Sequence, residues 1–180
     1  MSTKTLTTAA ELEQMPDDDS VRTELDQGEL ITMPPAGLDH CDCGAEITRL
    51  LGNFVREHAL GKVYSGEAGF RLSDDTVRAP GVAFVRKERV ATVHRRGFGV
   101  GAPDLAVESF SPNDSVRQLM RKVKQYFAAG CHTVWIVYPD RREIQILDAK
   151  GTDRLLGPED TLEAPELLPG FSAPVAPIFG

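Results

Sequence analysis

Glu108 sits inside Leu105-Ala106-Val107-Glu108-Ser109-Phe110, a mostly apolar run that reads as a strand. A carboxylate there is costly to bury unless a cation pairs with it or it holds a metal. Ligands also gather at the carboxyl ends of strands in α/β sheets, and this strand breaks at once at Ser111-Pro112. A solvent-facing Glu on an edge strand fits the same pattern. Lys122 and Lys124 follow on a helix, at opposite borders of its apolar stripe. Periodicity leaves open which one turns inward, and either could simply snorkel. Glu24 lies near Asp26 and Glu29 and carries no signal by itself. His40-Cys41-Asp42-Cys43 has metal-ligand residue types, and Cys131-His132 could add more. Cys-x-Cys is not a zinc spacing, however, and no second matching pair exists. The plainer reading is a polar helix start and small buried thiols. A serine nucleophile elbow, a phosphate loop and a dinucleotide fingerprint are all missing.

The elements that must position these residues can be read from hydrophobic period and turn residues. Residues 1–20 form an acidic lead around Asp17, Asp18 and Asp19, with a short helix over Ala9–Met15. Arg22–Met33 reads as a hairpin turning at Gln27-Gly28, since Gly tolerates the positive φ of a tight turn. Ile47, Leu50, Leu51, Phe54, Val55 and His58 form one helical stripe. Asp39 or Asp42 would cap that helix, and Gly61 lies past its end. Two long strands, Val63–Leu72 and Thr76–Val85, would join at Ser73-Asp74-Asp75. A symmetric turn there pairs position 81 with Ala68. Residues 86–103 read as a basic loop. A second helix covers Val116–Ala129, with Asp114 or Ser115 as N-cap and Val116, Leu119, Met120, Val123 and Phe127 on one face. Gly130 ends it. Thr133–Tyr138 is an apolar strand buried on both faces, and Glu143–Leu147 is another. The strand–helix–strand step from Asp104 to Tyr138 reads as a parallel crossover. Residues 151–180 are Pro- and Leu-rich and are expected to wrap the outside. The fold class is α/β (α+β): one domain over 21–180, a central mixed sheet flanked by helices, with an N-terminal hairpin.

The chain has 180 residues, 41% hydrophobic and 26% charged, with three Cys. No apolar run nears the roughly 20 residues a bilayer span needs. The first residues lack the apolar core of a signal peptide. A cytoplasmic, reducing setting is expected. The net charge of −7 argues against a polyanion partner, yet nine of the 20 basic residues fall in Arg86–Arg96 and Arg117–Lys124. Local field outweighs net charge in steering a ligand. The bland reading is two solvated faces.

Several segments together resemble one family. Arg22-Thr23-Glu24-Leu25-Asp26-Gln27-Gly28-Glu29-Leu30 is similar to an opening "R-Y-E-L-x-x-G-E-L". Residues 103–112, from Pro103-Asp104-Leu105 through Glu108 to Ser111-Pro112, are similar to "P-D-L-V-V-E-V-x-S-P". Lys122–Tyr126 with Ala128-Ala129-Gly130 is similar to "K-x-x-x-Y-x-x-A-G". Val134-Trp135-Ile136-Val137 and Leu168-Pro169-Gly170-Phe171 match later marks. These resemble the Uma family of "putative restriction endonucleases", placed in the PD-(D/E)XK nuclease superfamily. The resemblance implies a restriction-endonuclease-like core and phosphodiester hydrolysis on DNA. It implies Mg²⁺ (or Mn²⁺) held by an Asp and by Glu108. The metal would polarise the phosphate and acidify a water. It matches Lys122 to the catalytic Lys, which settles the choice against Lys124, and puts Glu24 and His40 near the site. Arg95, Arg96, Arg121 and Lys124 are expected nucleic-acid contacts. A homodimer would suit double-strand cleavage.

The Asp does not carry over. Where the family reads "P-D-x-A-F-V", this chain reads Pro80-Gly81-Val82-Ala83-Phe84-Val85. Gly81 therefore stands at the metal-binding Asp position, and Tyr138 replaces the family's Asp before Pro139. Mg²⁺ binds a lone carboxylate weakly. Glu67 could substitute if the strand register allows. The alternative is a catalytically degenerate nuclease fold that binds DNA or another protein.

Overall fold

The computed structural model describes residues 6–15, 22–33, 35, 37–93, 96–111 and 114–180. The expected Asp17–Asp19 cluster, the DNA contact Arg95 and the Pro112 break lie outside these residues. A short helix α1 (Ala9–Leu12) precedes the hairpin β1 (Arg22–Asp26) and β2 (Glu29–Met33). Gln27 and Gly28 both take positive φ, as the hairpin reading requires. Residues 6–15 of the expected lead pack onto this hairpin. Ala9 is buried with Leu25 and Val77, and Thr7 N–H donates to the Gly28 carbonyl.

α2 (Leu38–Glu57) starts earlier than its stripe suggested. Its N-cap is Gly37, which offers no side-chain bond, so neither Asp39 nor Asp42 caps it. The two long strands expected next are four: β3 (Gly61–Ser65), β4 (Phe70–Ser73), β5 (Thr76–Arg78) and β6 (Val82–Arg86). The chain changes sheet at Gly66–Gly69 and again at Ala79–Gly81. One five-stranded sheet runs β2-β1-β5-β4 and then β7 (Gly99–Val100), and one six-stranded sheet ends in β6-β3. The expected basic loop holds α3 (Lys87–Val93) and the short strand β7 (Gly99–Val100). β8 (Leu105–Ser109), α4 (Val116–Ala128) and β9 (Thr133–Tyr138) form the crossover, with β8 and β9 parallel. β10 (Glu143–Asp148) and β11 (Asp153–Leu156) complete the six-stranded sheet, in the order β11-β10-β9-β8-β6-β3. It is mixed and flanked by helices, as the sequence implied.

Side chains alternate across a strand, and that alternation divides the core. Leu105 and Val107 pack with Ile47, Leu51 and Val55 of α2 on one face. Ala106 packs with Leu119, Val123 and Tyr126 of α4 on the other. Glu108, in phase with Ala106, is thereby aimed at α4. Tyr126 supplies the buried end of the α4 face, while Val116 and Met120, expected there, are exposed. Ser115 is the α4 N-cap, accepting from Gln118 N–H. The tail forms the pair β12 (Thr161–Glu163) and β13 (Ser172–Pro174). It does more than wrap the outside: Leu162, Leu168, Phe171, Val175 and Ile178 are buried in the α2-side core. Among the described residues no helix is long and apolar enough to cross a membrane.

Candidate functional site

Between β1, β6, β8 and the N-terminal ends of α2 and α4 lies an open cleft of about 860 Å³, within the usual size of a ligand site. Glu24, His40, Glu67, Gly81, Glu108 and Lys122 all line it. Lys122 turns inward: Nζ lies 3.0 Å from Glu24 Oε2 and 3.7 Å from Glu108 Oε2. Lys124 is exposed on the far border of α4.

Glu108 is 6% exposed and accepts a 2.7 Å hydrogen bond from the Tyr126 hydroxyl at Oε1. Burial, with the Glu108 charge, pushes the Tyr126 phenol well above its ordinary value, so it stays a donor. Glu24 is fully buried. Burial alone would raise its carboxyl. Lys122, Arg78 and the Ala79 N–H hold it below the usual carboxylate range instead. His40 is half-buried. Burial and the neighbouring Arg22 charge keep its imidazole below the ordinary value against the pull of Glu108 and Asp114.

Arg78 went unnoticed in the sequence and is the hub of the site's support. It is 1% exposed. Its Nη1 donates to Glu24 at 2.9 Å, its Nη2 meets Asp26 at 2.8 Å, and its Nε donates to Gln125 at 2.9 Å. Asp26 also takes Arg121 at 3.0 Å and Gln125 at 2.7 Å. A buried charge is stable only when such partners surround it. The signal was present: Glu24 and Asp26 share one face of β1, and Arg78 ends an otherwise uncharged strand in the same sheet.

One of the expected nucleic-acid contacts has protein partners. Arg121 is tied to Asp26 and Gln27. Arg86 and Arg89, also in the basic stretches, both reach Asp104. Arg96 is exposed beside a second cavity, next to Phe98, and does not line the cleft.

Gly81 lies one step beyond the Val82↔Val107 pair, so the register carries it opposite Glu108. Its neighbour toward β3 is Gly66, one step beyond Ser65↔Val82, and not Ala68. A β-carbon at Gly81 would meet only the Val107 carbonyl, at 3.3 Å, and the φ there is not left-handed. That contact is tight, so a side chain at 81 needs the Val107 carbonyl to give by a few tenths of an ångström, and nothing else stands within 4 Å. Glu67 is exposed on the connection after β3. The donor set does not make a divalent-cation site. No three His, Cys, Asp or Glu side chains converge among the described residues. The oxygens of Glu24 and Glu108 already face Arg78, Lys122 and Tyr126.

Among solved structures, the fold is similar to the crystal structure of a "putative nuclease belonging to DUF820" from Anabaena variabilis. The TM-score is 0.80, with 16% identity over 96% of this chain and 97% of that one. No curated protein matches. A family model described as "Putative restriction endonuclease" matches residues 9–176, which spans every element that builds the cleft, and the chain belongs to that family, Uma2.

Proposed function

We propose that this chain keeps the nucleic-acid cleft of its endonuclease family but not metal-dependent cleavage at ordinary Mg²⁺. One juxtaposition carries the reading: Glu108 faces Gly81, where a second anionic ligand would have to stand. Mg²⁺ keeps most of its waters and needs more than a single protein carboxylate to be held and placed. Here one oxygen of the carboxylate that remains accepts from Tyr126 and the other is faced by Lys122 at 3.7 Å. Lys122 therefore acts as the resident cation of the cleft. The residues left can bind and orient a phosphodiester, with DNA as the polymer that family membership suggests. They lack the means to activate a water against it.

The test is plasmid nicking by purified protein over a range of Mg²⁺ and Mn²⁺, alongside DNA binding at low salt. The expected result is salt-sensitive binding without cleavage. Nicking by the wild type that disappears in Glu108→Gln would overturn the loss of cleavage. Absence of binding at low salt would overturn the retained cleft.

A further inference from the structure

Arg22 opens β1, two residues before Glu24 and four before Asp26, so the three side chains share one face of the strand. All three line the cleft. They differ in how their charge is met. Asp26 and Glu24 are closed off by Arg78, Arg121, Gln125 and Lys122. Arg22 is half-buried, and its Nε is shielded from solvent with no acceptor. A buried donor left unmade is costly, and a guanidinium is the side chain best shaped to grip a phosphate.

The acidic groups nearby are engaged elsewhere or do not reach it. Asp114 is turned into its own loop, accepting from Ser111 N–H at 2.8 Å and Oγ at 2.9 Å. Glu24 is held by Arg78 and Lys122. His40 on α2 and Lys122 on α4 line the same cleft, and His40 is close enough to Arg22 to feel its charge. The N-terminal turns of α2 and α4 also border it, and α2 has no side-chain cap on its first amides. Both helix ends favour an anion.

We infer that Arg22, with His40 and Lys122, forms an anion subsite that takes a phosphate group, supplied by the nucleic-acid backbone. This rests on the nucleic-acid cleft proposed above and names the residues that would grip its ligand. The subsite needs no metal, since its charge comes from the protein alone.

The experiment uses two probes on wild type, Arg22→Gln and Arg22→Lys. A short fluorescein-labelled DNA duplex is titrated between about 50 and 200 mM salt. Inorganic phosphate is followed by the shift in melting temperature. For the duplex, Arg22→Gln is expected to bind about tenfold more weakly, with the salt slope reduced by about one. Arg22→Lys should fall between, since it keeps the charge and loses the fork. Phosphate should raise the melting temperature of wild type and not of Arg22→Gln. Unchanged duplex affinity and unchanged phosphate shift in Arg22→Gln would overturn the subsite and leave the DNA reading standing. A phosphate shift that depends on Arg22, with no duplex binding by wild type, would support the subsite and overturn the nucleic-acid source. Wild type that responds to neither probe would overturn both. Melting of the unliganded variants alongside wild type separates lost binding from lost folding.

Discussion

The two sides of the cleft treat charge in opposite ways. On the β1–α4 side, Glu24 and Asp26 are met by Arg78, Lys122, Arg121 and Gln125, and almost every buried oxygen has a named donor. On the β6–β8 side, Glu108 faces a glycine. The first side is assembled to hold itself together. The second holds one carboxylate, Glu108, where the proposed reading calls for a pair. Intact support beside a single carboxylate is the contrast on which the proposed reading, a retained cleft without cleavage, rests.

If the first side is structural, breaking it should cost most. Arg78→Met would strand two buried carboxylates and is expected to destabilise by about 3–5 kcal/mol, read from urea midpoints. A loss below about 1 kcal/mol would mean that the network is solvated and that the contrast is false.

Acid should reach the same side next. The carboxyls of Glu24 and Asp26 lie below their ordinary values of 4.5 and 3.8. Groups with depressed folded values add stability that is complete above those ordinary values. That stability is lost as pH falls through the lower folded values. Stability should therefore decline below about pH 4.5, and Glu24→Gln should flatten the decline while lowering stability at neutral pH. A wild-type profile flat to low pH would contradict this.

Tyr126→Phe touches the second side. It removes the donor to Glu108 Oε1 and should cost about 1–3 kcal/mol, the penalty of an unsatisfied buried acceptor. Smaller still is Gly81→Asp. Only the Val107 carbonyl is close to a new β-carbon, at 3.3 Å. Without metal, the like charge beside Glu108 should cost about 1 kcal/mol, and added Mn²⁺ should reverse the loss.

Much of this arrangement was legible in the sequence. The hairpin at Gln27-Gly28 and the crossover from β8 to β9 carry strong local signals, because turn residues and uninterrupted periodicity agree there. The family's spacing chose Lys122 over Lys124, which helical phase alone could not do. Segment 63–85 misled because each half reads as one continuous strand. The breaks at Gly66–Gly69 and Ala79–Gly81 move the chain between two sheets, and only tertiary pairing reveals that. α3 was hidden because charge on its exposed face resembles a loop. Arg78 was missed because a lone Arg at a strand end usually faces water; its burial follows from the acids on a strand fifty residues earlier, a pairing no local window contains.

The most direct measurement of the missing carboxylate is calorimetric titration of Mn²⁺ into wild type and Gly81→Asp. Wild type is expected to show no saturable binding in the low millimolar range. Gly81→Asp should bind at least about tenfold more tightly, as a second anionic ligand should allow. Glu108→Gln in that background should remove the gain. Saturable binding by wild type as tight as that of Gly81→Asp would show that the cleft completes a metal site by other means and would contradict the account.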